Sequence, residues 1–254
     1  MGKIVDFNCD MGESFGVFRI GADEEVMPHI SSTNIACGFH AGDPVYMMRT
    51  VLLAEEAGVA IGAHPGFPDL MGFGRRDMWL NSEELRNYVI YQIGALQAFT
   101  RAKKLQHVKP HGALYNMGVN NEELARAFAE AIREIDPDLI LVGLAGSTWL
   151  KAGRESGLRV ASEVFADRAI NSDGTTVLRK QPNAIIHDVA EVAARVLKIV
   201  IEGKILAING EEVEVRGDTI CLHSDTPNAA VLARTLRQSL EAAGVEVMPM
   251  GTFL

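Results

Sequence analysis

Polar residues that can bind ligands or transfer protons follow six short apolar segments of this sequence. A lone histidine or aspartate in such a place is usually a helix cap or part of a solvated turn. Six such groups in one chain are harder to explain in that way. Imidazole, carboxylate and cationic side chains that lie together can perform acid–base and electrostatic catalysis. The groups are Asp10 with Glu13, His40 with Asp43, His64 with Asp69, Lys109 with His111 and Tyr115, Asp167 with Arg168, and His223 with Asp225.

The apolar segments before these groups match β-strands, and the segments between them match helices. This alternation is typical of βαβ units in a parallel sheet. Asp43-Pro44 predicts the start of one helix and Gly58 its end. Asn209-Gly210 between two apolar runs predicts a small hairpin within residues 205–215. The predicted strands cover residues 4–9, 32–37, 59–63, 107–109, 139–144, 159–165, 219–222 and 245–248.

Length and composition favour one large globular unit. The chain has 254 residues and is 48% hydrophobic, and no linker or low-complexity stretch divides it, so we predict a single domain over residues 1–254. The predicted fold class is α/β with a parallel sheet, and a single barrel-type domain of this size is ordinary. A closed barrel brings the carboxyl ends of all its strands onto one rim. The six polar groups should therefore meet in one pocket.

The first strand offers a test of this placement. Asp6, Asn8 and Asp10 alternate with three apolar residues, which gives the strand one polar and one apolar face. Taken alone, this alternation also suits an edge strand whose polar face is in water. In a closed barrel the polar face points inward, and Asp6 then needs a cationic or hydrogen-bonding partner.

Charge and hydropathy exclude several classes of partner. A formal net charge of -9 and a pI near 5.3 argue against nucleic acid and against anionic membranes as partners. The most apolar long segment, 184–201, contains five ionisable residues, so no membrane span is predicted. The start of the chain lacks the pattern of a signal peptide, and we expect a cytoplasmic protein. Three cysteines, an odd number without a C-x-x-C pair, indicate buried packing rather than a disulfide framework.

Two sequence patterns resemble known motifs, a helical zinc site and a phosphate-binding loop, but the residues around them do not suit either motif. His107 and His111 have the spacing of a helical zinc site, but Pro110 and the strand before it argue against a helix. The glycine-rich stretch 72–76 lacks the strand before it and the helix after it that a phosphate-binding loop requires. Its two arginines either bind an anion or form a solvated turn. The surrounding segment, 65–80, is either a lid over a site or a surface excursion.

The remaining histidines and the serines carry no strong signal. His29, His107 and His187 lie outside the strand-end groups, and we interpret them as caps or solvated turns. No Gly-x-Ser-x-Gly motif is present, which leaves serine-based nucleophilic catalysis with little support.

Six multi-residue strings of the sequence form an ordered set through nearly the whole chain. They are NCDMGE from Asn8, NIACGFHAGDP from Asn34, GAHPGFPD from Gly62, VKPHGALYN from Val108, EVFADR from Glu163 and HSDTPNA from His223. Together, and in this order, they resemble the LamB/YcsF family, whose members are also called the A subunits of 5-oxoprolinase, and six strings are far more specific than any one of them. Two departures from the family pattern are Ala169-Ile170 after the Asp-Arg pair and Ser224 in place of a glycine.

This resemblance implies a TIM-like (β/α) barrel of seven or eight parallel strands that need not be regular, related to glycoside hydrolase and deacetylase barrels. It also implies an ATP-dependent opening of the lactam of 5-oxoproline, or of a similar small molecule, to give L-glutamate, with two further subunits, B and C, as partners. Within that reaction, the hypothesis is that Lys109 neutralises developing oxyanion or phosphate charge and that Asp10 or His111 acts as general base. Arg168 would hold the substrate carboxylate. The other residues assigned to substrate binding or orientation are Asn8, Glu13, His40, His64, Asp167, His223 and Asp225.

Two alternative functions stay open at this point. One is a metal-dependent amide or ester hydrolase similar to the deacetylases, with a divalent ion held by His64, His111 and Asp10. The other is a non-catalytic component that binds substrate while its partners perform the chemistry. The sequence assigns no residue to ATP, which is expected as a co-substrate, and it leaves open whether the chain forms a homo-oligomer.

Overall fold

The computed structural model describes residues 3–226 and 228–254, and within them seven parallel strands close into a barrel. Each barrel strand pairs with the next, and the last one pairs again with the first. An eighth parallel strand, Val245–Val247, pairs with the start of the first strand. The barrel strands are β1 (Lys3–Met11), β2 (Ser32–Ala36), β3 (Ala60–His64), β4 (His107–Val108), β5 (Ile140–Leu144), β6 (Arg159–Phe165) and β9 (Thr219–His223).

The predicted hairpin is present, as strands β7 (Lys204–Leu206) and β8 (Glu212–Glu214), which pair antiparallel, and Val245–Val247 is β10. The predicted TIM-like barrel with a hairpin insertion is therefore confirmed. None of the helices in the described part of the chain is long and apolar enough to cross a membrane. The helices are α1 (Asp23–Val26), α2 (Pro44–Ala57), α3 (Ser82–Phe99), α4 (Gly112–Gly118), α5 (Glu122–Ile135), α6 (Thr148–Glu155), α7 (Val189–Leu197) and α8 (Ala229–Ala242).

Helix α2 shows how local sequence fixes these elements. The Asp43 side chain accepts hydrogen bonds from the Val45 and Tyr46 amides, which satisfies two of the unpaired donors at the helix start. Gly58 ends the helix with a φ of 69°, a conformation that glycine adopts without steric cost. Both predicted ends of this helix are confirmed, and it places the loop after β2 at the rim of the barrel.

The apolar face of β1 packs outward and its polar face points into the barrel. Val5, Phe7 and Cys9 are fully buried in the main hydrophobic core. Asp6 is also fully buried, and it accepts hydrogen bonds from the hydroxyls of Ser31, Ser32 and Thr219. The edge-strand alternative is therefore wrong, and Asp6 has the hydrogen-bonding partners that inward placement requires.

Burial of Asp6 makes the stability of the protein depend on pH. Burial raises the pKa of the Asp6 carboxyl from 3.8 to about 6, although the three hydroxyls lower it. The folded state therefore favours the protonated carboxyl, so the stability that protonation contributes is full below pH 3.8 and is lost as the pH rises through about 6. A pKa shift of this size lowers the free energy of unfolding of the protein by about 3 kcal/mol across that pH range.

Asp6→Asn should remove this loss, because an amide does not ionise. We expect the free energy of unfolding of the variant, relative to the wild type, to rise by roughly 2–3 kcal/mol between about pH 4 and pH 7.5. Urea titrations at the two pH values measure this difference. The matched control is Asp138→Asn at an exposed loop position, which should show no such change, and an equal change in both variants would contradict the account.

His107 is the clearest error among the sequence-based interpretations. It is fully buried inside the barrel rather than in a cap or solvated turn, and its Nε2 lies 2.6 Å from Asn34 Oδ1. A Cβ atom at Gly62 of the neighbouring strand would lie 2.2 Å from His107 Nε2, so glycine there provides the space for the ring. Burial lowers the pKa of His107 to about 3, which keeps it neutral. His29 is half-buried at the end of the 3-10 helix Met27–His29, and His187 is exposed outside the helices and strands.

Candidate functional site

A buried lysine forms the charged centre of the site at the carboxyl ends of the strands. Lys109 Nζ lies 2.9 Å from Asp10 Oδ1, 2.9 Å from Glu163 Oε1 and 3.0 Å from Cys221 Sγ. An ammonium group has three donors, so these contacts use all of them. Lys109 directly follows β4 and Asp10 lies near the end of β1, which is why a lysine and an aspartate 99 residues apart meet here.

The environment of Lys109 and Asp10 determines the charges of both side chains. Burial lowers the pKa of Lys109, but the neighbouring Asp10, Cys221 and Glu163 outweigh it and raise that pKa well above its ordinary value. Burial likewise opposes ionisation of Asp10, but His64 and Lys109 outweigh it and hold the pKa of Asp10 well below its usual range. The structure thus maintains a buried ammonium beside a buried carboxylate.

Glu163 and Tyr115 belong to this centre; Tyr115 was predicted among the strand-end residues without a role, and Glu163 was not among the predicted site residues. Tyr115 Oη donates to Glu163 Oε2 at 2.8 Å, and Asn8 Nδ2 donates to Glu163 Oε1 at 3.3 Å. Burial, followed by the charge of Glu163, raises the pKa of Tyr115 well above its ordinary value, so the hydroxyl keeps its proton. The signal for Glu163 was its place on the inward face of β6, two residues before Phe165.

Three histidines contact one another beside the lysine. His64 Nδ1 donates to the carbonyl oxygen of Lys109 at 2.8 Å, and His111 Nε2 donates to the carbonyl oxygen of Phe73 at 2.9 Å. The other two ring nitrogens, His64 Nε2 and His111 Nδ1, face each other at 2.9 Å. The His40 ring stacks on His111 with centroids 3.6 Å apart and an angle of 3°. All three rings are buried.

Two carboxylates complete the histidine cluster. Asp10 Oδ2 lies 3.3 Å from His64 Nε2, and Glu13 Oε1 lies 3.4 Å from His40 Nε2. Burial and the nearby charge of Asp10 raise the pKa of Glu13 well above its ordinary value. Burial also lowers the pKa values of His40 and His111, with their histidine neighbours adding to the effect.

Within the segment 65–80, Phe73 and Gly74 lie against these histidines, whereas Met71 and Trp79 are exposed, so the segment is partly a cover and partly a surface excursion. Besides the hydrogen bond from His111 to Phe73, the carbonyl oxygen of Gly74 accepts from the Ala113 amide at 2.8 Å. Gly74 has a φ of +63°, and a Cβ there would lie 2.7 Å from His40 Cβ. Only glycine therefore lets this loop pass so close to the ring.

The two arginines of this segment have different environments. Arg76 is paired with Asp69, whose carboxylate also accepts from the Gly72 amide, so it stabilises the loop. Arg75 is exposed, with its guanidinium 5.3 Å from the centre of the Phe73 ring, and it lines the same cavity as Asp10. Anion binding is therefore a prediction for Arg75 and not for Arg76.

A small cavity of about 50 Å³ lies between these groups and Arg168. Arg168 is only 9% exposed, and one of its terminal nitrogens donates to the carbonyl oxygen of Val177 at 2.6 Å. Its Nε has no hydrogen-bond partner among the described residues. Burial, followed by the charge of Arg179, lowers the pKa of Arg168 to about 10, at which the guanidinium stays charged near neutral pH. A buried cation with an unused donor is suited to a carboxylate or phosphate.

The remaining predicted residues lie at different depths. Asp167 Oδ1 lies 3.4 Å from His223 Nδ1, and the His223 ring stacks on Phe165 at the edge of the cavity. Asn8 lies deeper in the barrel, where it is fully buried. Asp225 is at the outer rim, exposed and 4.0 Å from Arg179, so it does not join the buried cluster. Pro227, in the sixth family string, lies outside the described residues.

Comparison with known protein families identifies the family of this chain. The model of the LamB/YcsF family matches residues 5–254. The chain belongs to the LamB/YcsF family. This confirms the resemblance drawn from the six strings, and each of the six begins within the matched range.

Relatives of the family with similar sequences agree with this assignment. A protein from Thermococcus onnurineus that is named as the A subunit of 5-oxoprolinase is 58% identical over 252 residues, which are 98% of this chain and 99% of the relative. A protein of the same name from Brevibacillus brevis is 51% identical over 96% of this chain and 97% of the relative. The crystal structure of a lactam utilization protein from Thermus thermophilus has a TM-score of 0.91 at 51% identity, covering 96% of this chain and 99% of that one.

More distant structures share the fold of the LamB/YcsF chain. A peptidoglycan deacetylase from Bacillus subtilis has a TM-score of 0.50 at 11% identity and covers 97% of this chain and 87% of that one. At this identity the likeness shows the barrel fold alone.

Proposed function

We propose that this chain is the A component of an ATP-dependent 5-oxoprolinase, which opens the lactam of 5-oxo-L-proline to L-glutamate while ATP gives ADP and phosphate. The names of its relatives and the lactam utilization protein support this reading. The observation that carries it is the buried Lys109, with Asp10 and Glu163, on the same cavity as the cationic Arg168. The cytoplasmic location predicted from the sequence is part of the proposal.

The reaction needs activation because a lactam is resonance-stabilised. Transfer of the γ-phosphoryl group of ATP to the lactam oxygen would give a phosphorylated imidate and ADP. Water then adds to the ring carbon, and the C–N bond breaks as the nitrogen accepts a proton. A second water releases phosphate from the resulting acyl phosphate, which leaves glutamate. Each step moves negative charge, so fixed cations at the cavity would stabilise its transition states.

The proposed roles follow from the contacts. Lys109 places a permanent positive charge at the cavity, and its weakest contact, to Cys221 Sγ, is the one that a substrate or phosphate oxygen can replace. Arg168, which lines the same cavity as Lys109, binds the carboxylate of 5-oxoproline. Asp10 or His111 accepts the proton of the attacking water, and the other predicted residues orient these groups.

The binding site for ATP is the reason that partner subunits are part of the proposal. The chain contains no G-x-x-x-x-G-K-[ST] phosphate-binding loop motif, and the sequence assigns no residue to ATP. We propose that the ATP site is completed by further subunits, named B and C in this family.

The test compares this chain by itself with the complete assembly. Release of ADP that depends on 5-oxoproline is expected from the assembly of this chain with candidate B and C subunits, and little from any one of the three proteins in isolation. Turnover by the partners without this chain would support the non-catalytic alternative. Lactam hydrolysis by this chain in isolation, without ATP and abolished by a chelator, would instead support the metal-dependent hydrolase.

A further inference from the structure

The facing nitrogens of His64 and His111 have an unusual arrangement. The opposite nitrogen of each ring is hydrogen-bonded to a backbone carbonyl oxygen, at 2.8 Å for His64 and 2.9 Å for His111. A carbonyl can only accept, so each of these nitrogens carries its ring's hydrogen. In the neutral rings, two lone pairs therefore face each other at 2.9 Å. Such a contact is repulsive unless one of the two facing nitrogens also carries a proton or a metal cation lies next to both lone pairs.

The surrounding oxygens extend this donor set. Asp10 Oδ2 lies 3.3 Å from His64 Nε2, and Glu13 Oε1 lies 3.9 Å from His111 Nδ1. Two donors that each lie about 2.1 Å from one metal ion are separated by about 3.0–3.4 Å at octahedral or tetrahedral angles. Donor atoms of Glu13, His64 and His111 lie within 4.8 Å of one another, and Asp10 contacts this set through His64. The spacing of the cluster is therefore close to that of a metal coordination sphere.

His40 lies beside these donors. Its side chain is fully buried, and neither ring nitrogen makes a hydrogen bond within residues 3–226 and 228–254. Its nearest charged group is Glu13, whose Oε1 lies 3.4 Å from His40 Nε2. Because the His40 ring is parallel to His111, an ion in the plane of His111 would lie outside the plane of His40. His40 therefore positions Glu13 and His111 and is not itself a ligand of the same ion.

We propose that His64 Nε2 and His111 Nδ1, with carboxylate oxygens of Asp10 and Glu13, bind one divalent cation of the first transition row. Hydrogen bonds from the far ring nitrogens to carbonyl oxygens are the supporting contacts that metal-binding histidines usually have. Two imidazoles with carboxylates favour zinc, manganese or cobalt over magnesium and calcium, which prefer all-oxygen sites. The sequence suggested three of these residues; the structure adds Glu13 and gives the nitrogens that would bind the ion.

The test measures binding of the metal alone, without 5-oxoproline or ATP, so its failure is distinct from failure of the proposed activity. The full chain is treated with a chelator, dialysed and titrated with Zn²⁺, Mn²⁺ and Mg²⁺ by calorimetry. We expect one Zn²⁺ or Mn²⁺ per chain and much weaker binding of Mg²⁺. Zn²⁺ should also raise the thermal unfolding midpoint, because it binds the folded state.

Variants locate the ion within the chain. His64→Ala and His111→Ala should each weaken Zn²⁺ binding by at least about 100-fold, the upper end of the effect of losing a supporting contact. His40→Ala should weaken it by about 10-fold, as a positioning residue. The matched control is His187→Ala at an exposed position, which should bind Zn²⁺ like the wild type.

Spectra of the wild-type protein test the proposal even if a variant does not fold. In ¹H–¹⁵N spectra of the histidine rings, Zn²⁺ should shift His64 Nε2 and His111 Nδ1 and leave His187 unchanged. The proposal is overturned if no transition-row cation binds stoichiometrically. It is equally overturned if folded His64→Ala binds like the wild type, or if the spectra show that the two nitrogens still share a proton in saturating Zn²⁺.

Discussion

Replacing Lys109 with Met is expected to lower the free energy of unfolding by about 3–5 kcal/mol near neutral pH, because it removes the partner of two buried carboxylates. Asp10 and Glu163 would each lose a contact of 2.9 Å to the ammonium and keep only neutral donors or histidine. The deficit should shrink as the pH falls, because a protonated carboxyl needs no counter-charge. Urea unfolding of wild type and variant at several pH values measures both effects.

The same change should reduce turnover. If Lys109 stabilises oxyanion or phosphate charge in the transition state, kcat of the complete assembly should fall about 100- to 1,000-fold, the usual effect of removing one such donor. The assay is performed at a temperature where circular dichroism shows the variant folded. Lys151→Met is the matched control, because Lys151 forms an exposed ion pair with Glu122 and surface pairs contribute little. Unchanged kcat in the Lys109 variant would contradict the assignment.

Replacing Arg168 with Gln is expected to raise KM for 5-oxoproline by about 10- to 100-fold and to change kcat much less. A hydrogen bond to a charged group contributes about 1.5–3 kcal/mol, and a carboxylate remote from the reacting bond is held equally in the ground and transition states. Steady-state kinetics of the complete assembly with varied 5-oxoproline separate the two constants. Arg168→Lys should recover only part of the affinity, since lysine keeps the charge but lacks the planar pair of donors.

Loop stability is the main competing explanation for such an effect. Arg168 also donates to the carbonyl oxygen of Val177, so its loss could disturb the connection after β6. A fall in kcat equal to the rise in KM, or an equal rise in KM for ATP, would indicate this structural effect instead. Arg126→Gln, an exposed position on α5, is the matched control and should leave both constants unchanged.

Much of the fold could be predicted because its signals are local. Alternating patterns in strands and helices, the cap at Asp43 and the turn at Asn209-Gly210 each depend on a few neighbouring residues, and all are confirmed. The placement of polar groups at strand ends followed from topology, because a parallel barrel puts those ends on one rim. The contacts among Asp10, His64 and Lys109 agree with that placement.

The errors and omissions involve residues whose environment depends on distant parts of the chain. His107 was misinterpreted because its burial depends on Gly62 of the neighbouring strand and on Asn34. Glu163 was missed because a carboxylate inside a strand makes sense only with Lys109, 54 positions earlier, as its partner. Spacing in the sequence gives no information on such pairs, whereas the inward face of a barrel strand could have suggested Glu163 as a candidate.

The proposed reaction is defined by the coupling of glutamate formation to ATP hydrolysis, which can be measured in one experiment. The assembly of this chain with candidate B and C subunits is supplied with 5-oxoproline, with and without ATP, and glutamate and ADP are measured in the same samples. The account predicts one glutamate for each ADP released in response to 5-oxoproline, and no glutamate without ATP. Glutamate formed at the same rate without ATP, or no ADP release in response to 5-oxoproline by an intact assembly, would contradict it.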